Sequence, residues 1–307
     1  MTGPFEPMLA TPWPRPFSEP GWWFEPKWDG VRALLQRGVS GPVLRSRRGN
    51  DLGARFPEIA AADPGGPLVL DGEIVAFGAD GLPSFERLQG RAGLPGSGPP
   101  PIPVAYVVFD VLVLGDPVID RPLEERRRLL GAIGIRPPLV VGEGIDADGL
   151  ALWEAVEERG MEGIVAKRLG SRYRPGVRSP DWRKVVRIRS LRSVVGGYLP
   201  GAPGRPFGAL ALGLWDAGGL RWIGNVGSGF SEEGLRAIRA ALDEMTRPSS
   251  PFAGEAPAGA VWVEPVLVAR VAYREWTGAG RLRQPRFEGL TGDLPEAATW
   301  AAEGPGG

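Results

Sequence analysis

Trp22-Trp23-Phe24-Glu25-Pro26-Lys27-Trp28-Asp29-Gly30-Val31-Arg32 sets a lysine between an aromatic run and an Asp-Gly turn. The alternating stretch Val31 to Gln36 that follows reads as a strand, so the segment is strand, turn and strand. Such a hairpin holds the Lys27 amine firmly in a partly apolar pocket. Asp29 and Arg32 stand close enough in sequence to orient the amine and to neutralise an incoming phosphate. Lysine is scarce elsewhere: of 36 basic residues only Lys27, Lys167 and Lys184 are lysines. Guanidinium keeps its proton near neutral pH, whereas a lysine amine released from its proton by partial burial and neighbouring cations is a nucleophile. A retained lysine is therefore a candidate for covalent or phosphate chemistry.

Composition removes several alternatives. With no cysteine and no histidine among 307 residues, disulfides, thiolate catalysis, cysteine zinc sites, Ser-His-Asp triads and histidine-metal chemistry are all excluded. What remains is lysine nucleophiles with Asp and Glu oxygen ligands, the groups of phosphoryl and nucleotidyl transfer. No run of eighteen apolar residues and no signal peptide is evident, which predicts a cytoplasmic protein that engages no membrane. The net charge is zero, yet the charge is unevenly spread. Between Lys167 and Arg192 lie ten cations and one anion, Asp181, with Tyr173 and Trp182 interleaved. Arg45, Arg47 and Arg48 form a second cluster, and together these predict a phosphate-lined groove.

Lys-Trp-Asp-Gly-Val-Arg, with Glu25 two residues ahead of the lysine, resembles motif I of the covalent nucleotidyltransferases, the superfamily of DNA ligases, RNA ligases and capping enzymes. Further segments follow in the family's order. Leu44-Arg45-Ser46-Arg47-Arg48-Gly49-Asn50 resembles a turn of ATP-dependent DNA ligases, Val69 to Phe77 resembles motif III, and Tyr106 to Leu112 motif IIIa. Met161 to Lys167 resembles motif IV and Ser179 to Val185 motif V. The resemblance implies that Lys27 carries AMP as a phosphoramide, with Asp29 beside it and Lys184 on the α-phosphate. It implies that Glu25 reads the adenine amino group, that Phe109 stacks on the purine, and that Arg32, Glu73 and Lys167 face the nucleotide. Glu73 and Glu162 would hold Mg2+ or Mn2+, and Arg47 would approach the nick phosphate, joined on the duplex by Arg48, Arg172, Arg174 and Arg178.

The predicted fold is α+β. A nucleotidyltransferase (adenylation) domain of antiparallel sheets and helices, residues 1–189, precedes an OB-fold β-barrel, residues 190–307. Helices are expected at Arg121 to Ile133 and, capped by Ser231, at Glu232 to Met245; Gly90 to Pro103 is expected to be a loop. Strands are expected at Val194 to Leu199, Leu210 to Trp215, Leu220 to Asn225 and Trp262 to Tyr273. Gly224 to Phe230 and Arg274-Glu275-Trp276-Thr277 resemble the OB domain of bacterial ligases related to the end-joining enzyme. That resemblance implies a swinging lid, hinged near Ile188 to Ser193.

Two departures bear on chemistry. Motif V of the family commonly has a second lysine where this chain has Val186. Motif VI often ends Leu-Arg-x-Asp-Lys, whereas this chain reads Leu290-Thr291-Gly292-Asp293-Leu294. Arg281, Arg283 and Arg286 are the candidate replacements against the pyrophosphate. A third expected departure is brevity, the 307 residues being read as a ligase without a polymerase or nuclease domain. The expected activity is ATP-dependent sealing of nicked duplex DNA by a monomer, with a Ku-like protein or a polymerase as repair partner. The alternatives are an RNA ligase, a capping-type nucleotidyltransferase, or a catalytically weakened nick-binding module.

Overall fold

The computed structural model describes residues 5–38, 41–79, 81–91 and 102–305. The chain forms two compact units, Met1–Arg187 and Ile188–Gly307. Most of the loop expected at Gly90 to Pro103 lies outside the described residues.

The first unit carries two sheets. In the five-stranded one, Gly163–Arg168 pairs antiparallel with Trp22–Pro26 on one side and with Arg178–Val186 on the other. In the six-stranded one, Leu68–Ala76 lies between Val31–Gly38 and Val104–Leu114. The sheets are mostly antiparallel, as expected, with two parallel pairs. Leu9–Pro12 runs parallel to Arg178–Val186, and Leu139–Val141 runs parallel to Val104–Leu114. Parallel partners are far apart in sequence, and a three- or four-residue strand has too little alternation to announce itself.

Strand periodicity decides which residues reach the space between these sheets. In Arg178–Val186, Arg178, Trp182 and Lys184 share one face, while Arg183 turns to the other and sits over the rings of Trp13 (3.9 Å) and Trp22 (4.3 Å). Met8, Leu34, Val69, Leu112, Tyr173 and Trp182, drawn from both sheets and their flanks, pack into one buried cluster. The helix Leu123–Ala132 is fixed against Val104–Leu114 by Arg126, which donates to both oxygens of Asp110 at 2.8 and 2.9 Å. Both partners are fully buried, so removing either would strand a charge in the core. A second helix, Gly149–Glu158, was not expected; Asp148 caps it by accepting from the Ala151 amide.

Among the described residues the second unit is an OB-type arrangement of a seven-stranded sheet, a two-stranded one, a long helix Glu232–Asp243 and a short helix Trp300–Glu303. Arg189–Leu199 is its central strand, pairing with Ala209–Asp216, Val261–Val263 and Val268–Tyr273. The helix Glu232–Asp243 buries Leu235, Ile238 and Leu242 in the core, and Ser231 caps it by accepting from the Gly234 amide. The single strand expected over Trp262 to Tyr273 is two strands. Pro265 lacks an amide hydrogen, and the Val266 amide closes a tight turn onto the Glu264 carbonyl at 2.8 Å. Of the expected hinge, Arg189 to Ser193 belong to the long strand, and Arg187 and Ile188 stand between strands where the two units divide.

Candidate active site

In the first unit a cavity of about 230 Å³ is lined from both sheets, with Glu25, Lys27, Arg32, Arg47, Glu73, Phe109, Lys167, Arg178, Trp182 and Lys184 on its wall. Two glycines let the backbones close around it. A Cβ on Gly30 would lie 2.1 Å from the Ile74 carbonyl oxygen. Gly163, at φ +146°, would bring one 2.1 Å from the Val185 carbonyl. The Lys27 amide donates to the Gly163 carbonyl at 2.8 Å, which registers the lysine turn against the strand after Glu162.

The Lys27 amine lies 2.5 Å from Glu162 Oε2. Its close partner is thus a carboxylate and not the cation that the sequence reading expected. Glu73 reaches the cavity from the six-stranded sheet, where burial pushes its carboxyl up to about 8 although Lys27 and Arg32 pull it down. Arg32 donates to both oxygens of buried Asp71, at 3.0 and 2.6 Å, and Asp71 also accepts from the Tyr173 hydroxyl at 2.7 Å. A guanidinium held this way presents a fixed positive edge beneath the cavity.

At the apolar end, Lys167 is almost fully buried, with its amine 4.2 Å from the Phe109 ring centre and 4.4 Å from that of Trp182. Burial pulls its pKa down, against the Glu25 carboxylate 2.6 Å away. Glu25 itself accepts from Arg127 at 2.8 Å and from the Trp23 indole at 3.0 Å. Trp23, Asp71, Arg127 and Trp182 were not among the expected site residues. Asp71 and Arg127 meet partners distant in sequence, and only the Arg126-Arg127-Arg128 run hinted at Arg127.

The other expected residues are less concentrated. Asp29 is not among the cavity-lining side chains. Arg48, Arg172 and Arg174 are exposed and outside the lining, Arg172 being 3.7 Å from Asp120 and Arg174 3.8 Å from Asp181. The basic run is therefore not one continuous groove, since alternation sends Arg183 away and Asp181 engages two of its arginines, Arg168 and Arg174. In the second unit Arg283 pairs with Glu275, and Arg286 is exposed at the start of the strand Arg286–Thr291.

A lysine amine seated against a carboxylate, with cations along one wall and aromatic faces at the far end, suits transfer of a nucleotide through its phosphate. Fold and cavity thus define the class, a two-unit nucleotidyltransferase. Residues 7–185 match the family described as ATP dependent DNA ligase domain, and residues 203–294 match the ATP dependent DNA ligase C terminal region. The chain belongs to the ATP-dependent DNA ligase family.

Over 284 residues the chain is 37% identical to the multifunctional non-homologous end joining DNA repair protein LigD of Mycobacterium tuberculosis, covering 89% of this chain and 36% of that one. It thus spans about a third of the length of that relative. The SPbeta prophage-derived DNA ligase-like protein LigB of Bacillus subtilis is 30% identical over 284 residues, covering 92% of this chain and 97% of LigB. The crystal structure of the ligase domain of M. tuberculosis LigD is similar at a TM-score of 0.56 and 34% identity, covering 96% and 98% of the two chains.

Proposed function

We propose that this ligase works through Lys27, whose amine attacks the α-phosphorus of ATP to form lysyl-AMP. The observation that carries the reading is the seating of that amine, 2.5 Å from Glu162 and on the wall of the cavity that Glu73, Arg32 and Lys184 also line. Glu162 positions the amine, whose proton leaves to solvent; a phosphorus–nitrogen bond forms as the bond to pyrophosphate breaks. Arg32 and Lys184 meet the phosphate charge, and Phe109 offers a face to the purine while Glu25 accepts from its amino group. AMP then passes to the 5′-phosphate of a nick, and the 3′-hydroxyl displaces it, with Arg47 and Arg178 drawing in the duplex phosphates and Arg48, Arg172 and Arg174 adding charge outside the cavity.

Glu73 and Glu162 would hold a Mg2+ or Mn2+ ion. Among the described residues no three acidic side chains group into a cage, and two carboxylates suit a cation that leans on substrate phosphates for its other ligands. A buried carboxyl such as Glu73, pushed up to about 8, is also a site where a cation offsets the cost of charge. Bound there, the ion neutralises charge on the phosphates.

The kinship with LigD supports a place in end-joining repair, with a Ku-like protein or a polymerase as partner and the chain itself monomeric. Among the described residues no helix is long and apolar enough to cross a membrane. A nucleoid location fits the DNA substrate. Incubation with α-labelled ATP and Mg2+ should label the protein in an adduct that survives alkali and is released by acid, as a phosphorus–nitrogen bond requires. An unlabelled protein that still binds nicked DNA would favour the weakened nick-binding module over the enzyme.

A further inference from the structure

Glu25 is 4% exposed, yet its carboxylate forms part of the cavity wall beside Phe109 and Trp182. An ionised carboxylate accepts hydrogen bonds and cannot donate them, so at this point it favours a base that presents an N–H. A base presenting a carbonyl would set a lone pair against the anion. Selectivity therefore depends on whatever holds the Glu25 carboxylate correctly turned.

Arg127 stands in that position. It is not among the cavity-lining residues and reaches Glu25 from behind, donating to Oε1 at 2.8 Å while its other terminal nitrogen donates to the Gly142 carbonyl at 3.1 Å. Its guanidinium lies 4.0 Å from the centre of the Trp23 ring, and the Trp23 indole donates to the same Glu25 oxygen at 3.0 Å. The helix that carries Arg127 cannot drift, because the preceding residue, Arg126, is locked to Asp110 in the core. Lys167 alone could pull the carboxylate from the other side, through Oε2. Arg127 and Trp23 supply the opposing pull on Oε1.

We infer that Arg127, acting through Glu25, is a positioning residue that sets the preference for a nucleotide whose base carries an amino donor over one whose base carries a carbonyl. The inference rests on the proposed reading of Glu25 as the residue facing the base. Adduct formation on Lys27 with α-labelled ATP and with α-labelled inosine triphosphate tests it, in the wild type and in Arg127→Met, Arg127→Lys and Glu25→Gln. Arg127→Met should raise KM for ATP more than it lowers kcat. It should also cut the ATP-over-inosine ratio of kcat/KM by roughly tenfold or more, the scale of losing a charged donor to a buried carboxylate. Arg127→Lys should recover part of that ratio. If Arg127→Met lost both nucleotides equally together with a drop in melting temperature, the role would be structural and the inference overturned. An unchanged ratio in Arg127→Met beside a changed one in Glu25→Gln overturns it too, with Glu25 still the base reader. An unchanged ratio in both variants removes the base reading itself, and the inference with it.

Discussion

Lys27 and Glu73 share one cavity, and each makes a prediction through its proton. Lys27→Arg keeps positive charge, yet guanidinium stays protonated at working pH and cannot attack phosphorus. The variant should lose the labelled adduct entirely while its melting temperature stays close to wild type; residual adduct would place the covalent site elsewhere. Glu73 titrates at about 8 when folded, against an ordinary value of 4.5, chiefly because burial opposes its charge. Between those values the folded chain holds a proton that the unfolded chain has released. Nucleotide-free protein should therefore lose stability as pH rises from about 4.5 to about 8. Glu73→Gln removes this dependence, so its melting temperature should exceed wild type at pH 8 and approach it near pH 5; parallel pH profiles would contradict the assignment. The lysines and Glu73 were legible in sequence because their motifs are short and local. Arg127 was not, since it meets Glu25 across 102 positions, and neither was Asp71, 39 positions from Arg32.

Among the elements, the strand Gly163–Arg168 is where fold and site are coupled most tightly. It pairs with the strand ending at Pro26 and with the one carrying Lys184, and Glu162 immediately precedes it. Gly163→Ala would drive a Cβ to 2.1 Å from the Val185 carbonyl in a backbone region that side chains avoid. Strain of this kind costs at least about 1–3 kcal/mol, and the relief available is a shift of the strand edge. The variant should unfold at lower urea and should also lose adduct formation by more than its folded fraction explains. Loss in proportion to unfolding alone would mean that the glycine serves the fold and not the seating of Glu162. Strands with clear alternation, such as Val31–Gly38 and Ala209–Asp216, were legible to within a residue or two. Leu9–Pro12 was not, because four residues with a proline carry no period, and the break at Pro265 was hidden inside an apolar run.

On the scale of the whole molecule, the departures from the family's motif VI fall in the second of the two compact units. Where ligases related by motif VI carry an arginine and a lysine, this chain has Thr291, ending a strand, and Leu294, a largely exposed apolar side chain. If those basic residues serve the pyrophosphate leaving group, the first step should be slow here and the sealing of a pre-adenylylated nick should not be. Arg283 is already paired with Glu275, so Arg286, exposed on the strand Arg286–Thr291, is the stronger candidate to compensate. Arg286→Ala should then slow self-adenylylation at least tenfold, Arg283→Ala less, and neither should slow sealing of a pre-adenylylated nick comparably. Thr291→Arg combined with Leu294→Lys should accelerate self-adenylylation selectively. Single-turnover rates for the two steps separate these outcomes. Fast self-adenylylation in wild type, indifferent to both arginines, would mean that the first unit alone manages the leaving group, through Arg32 and Lys184.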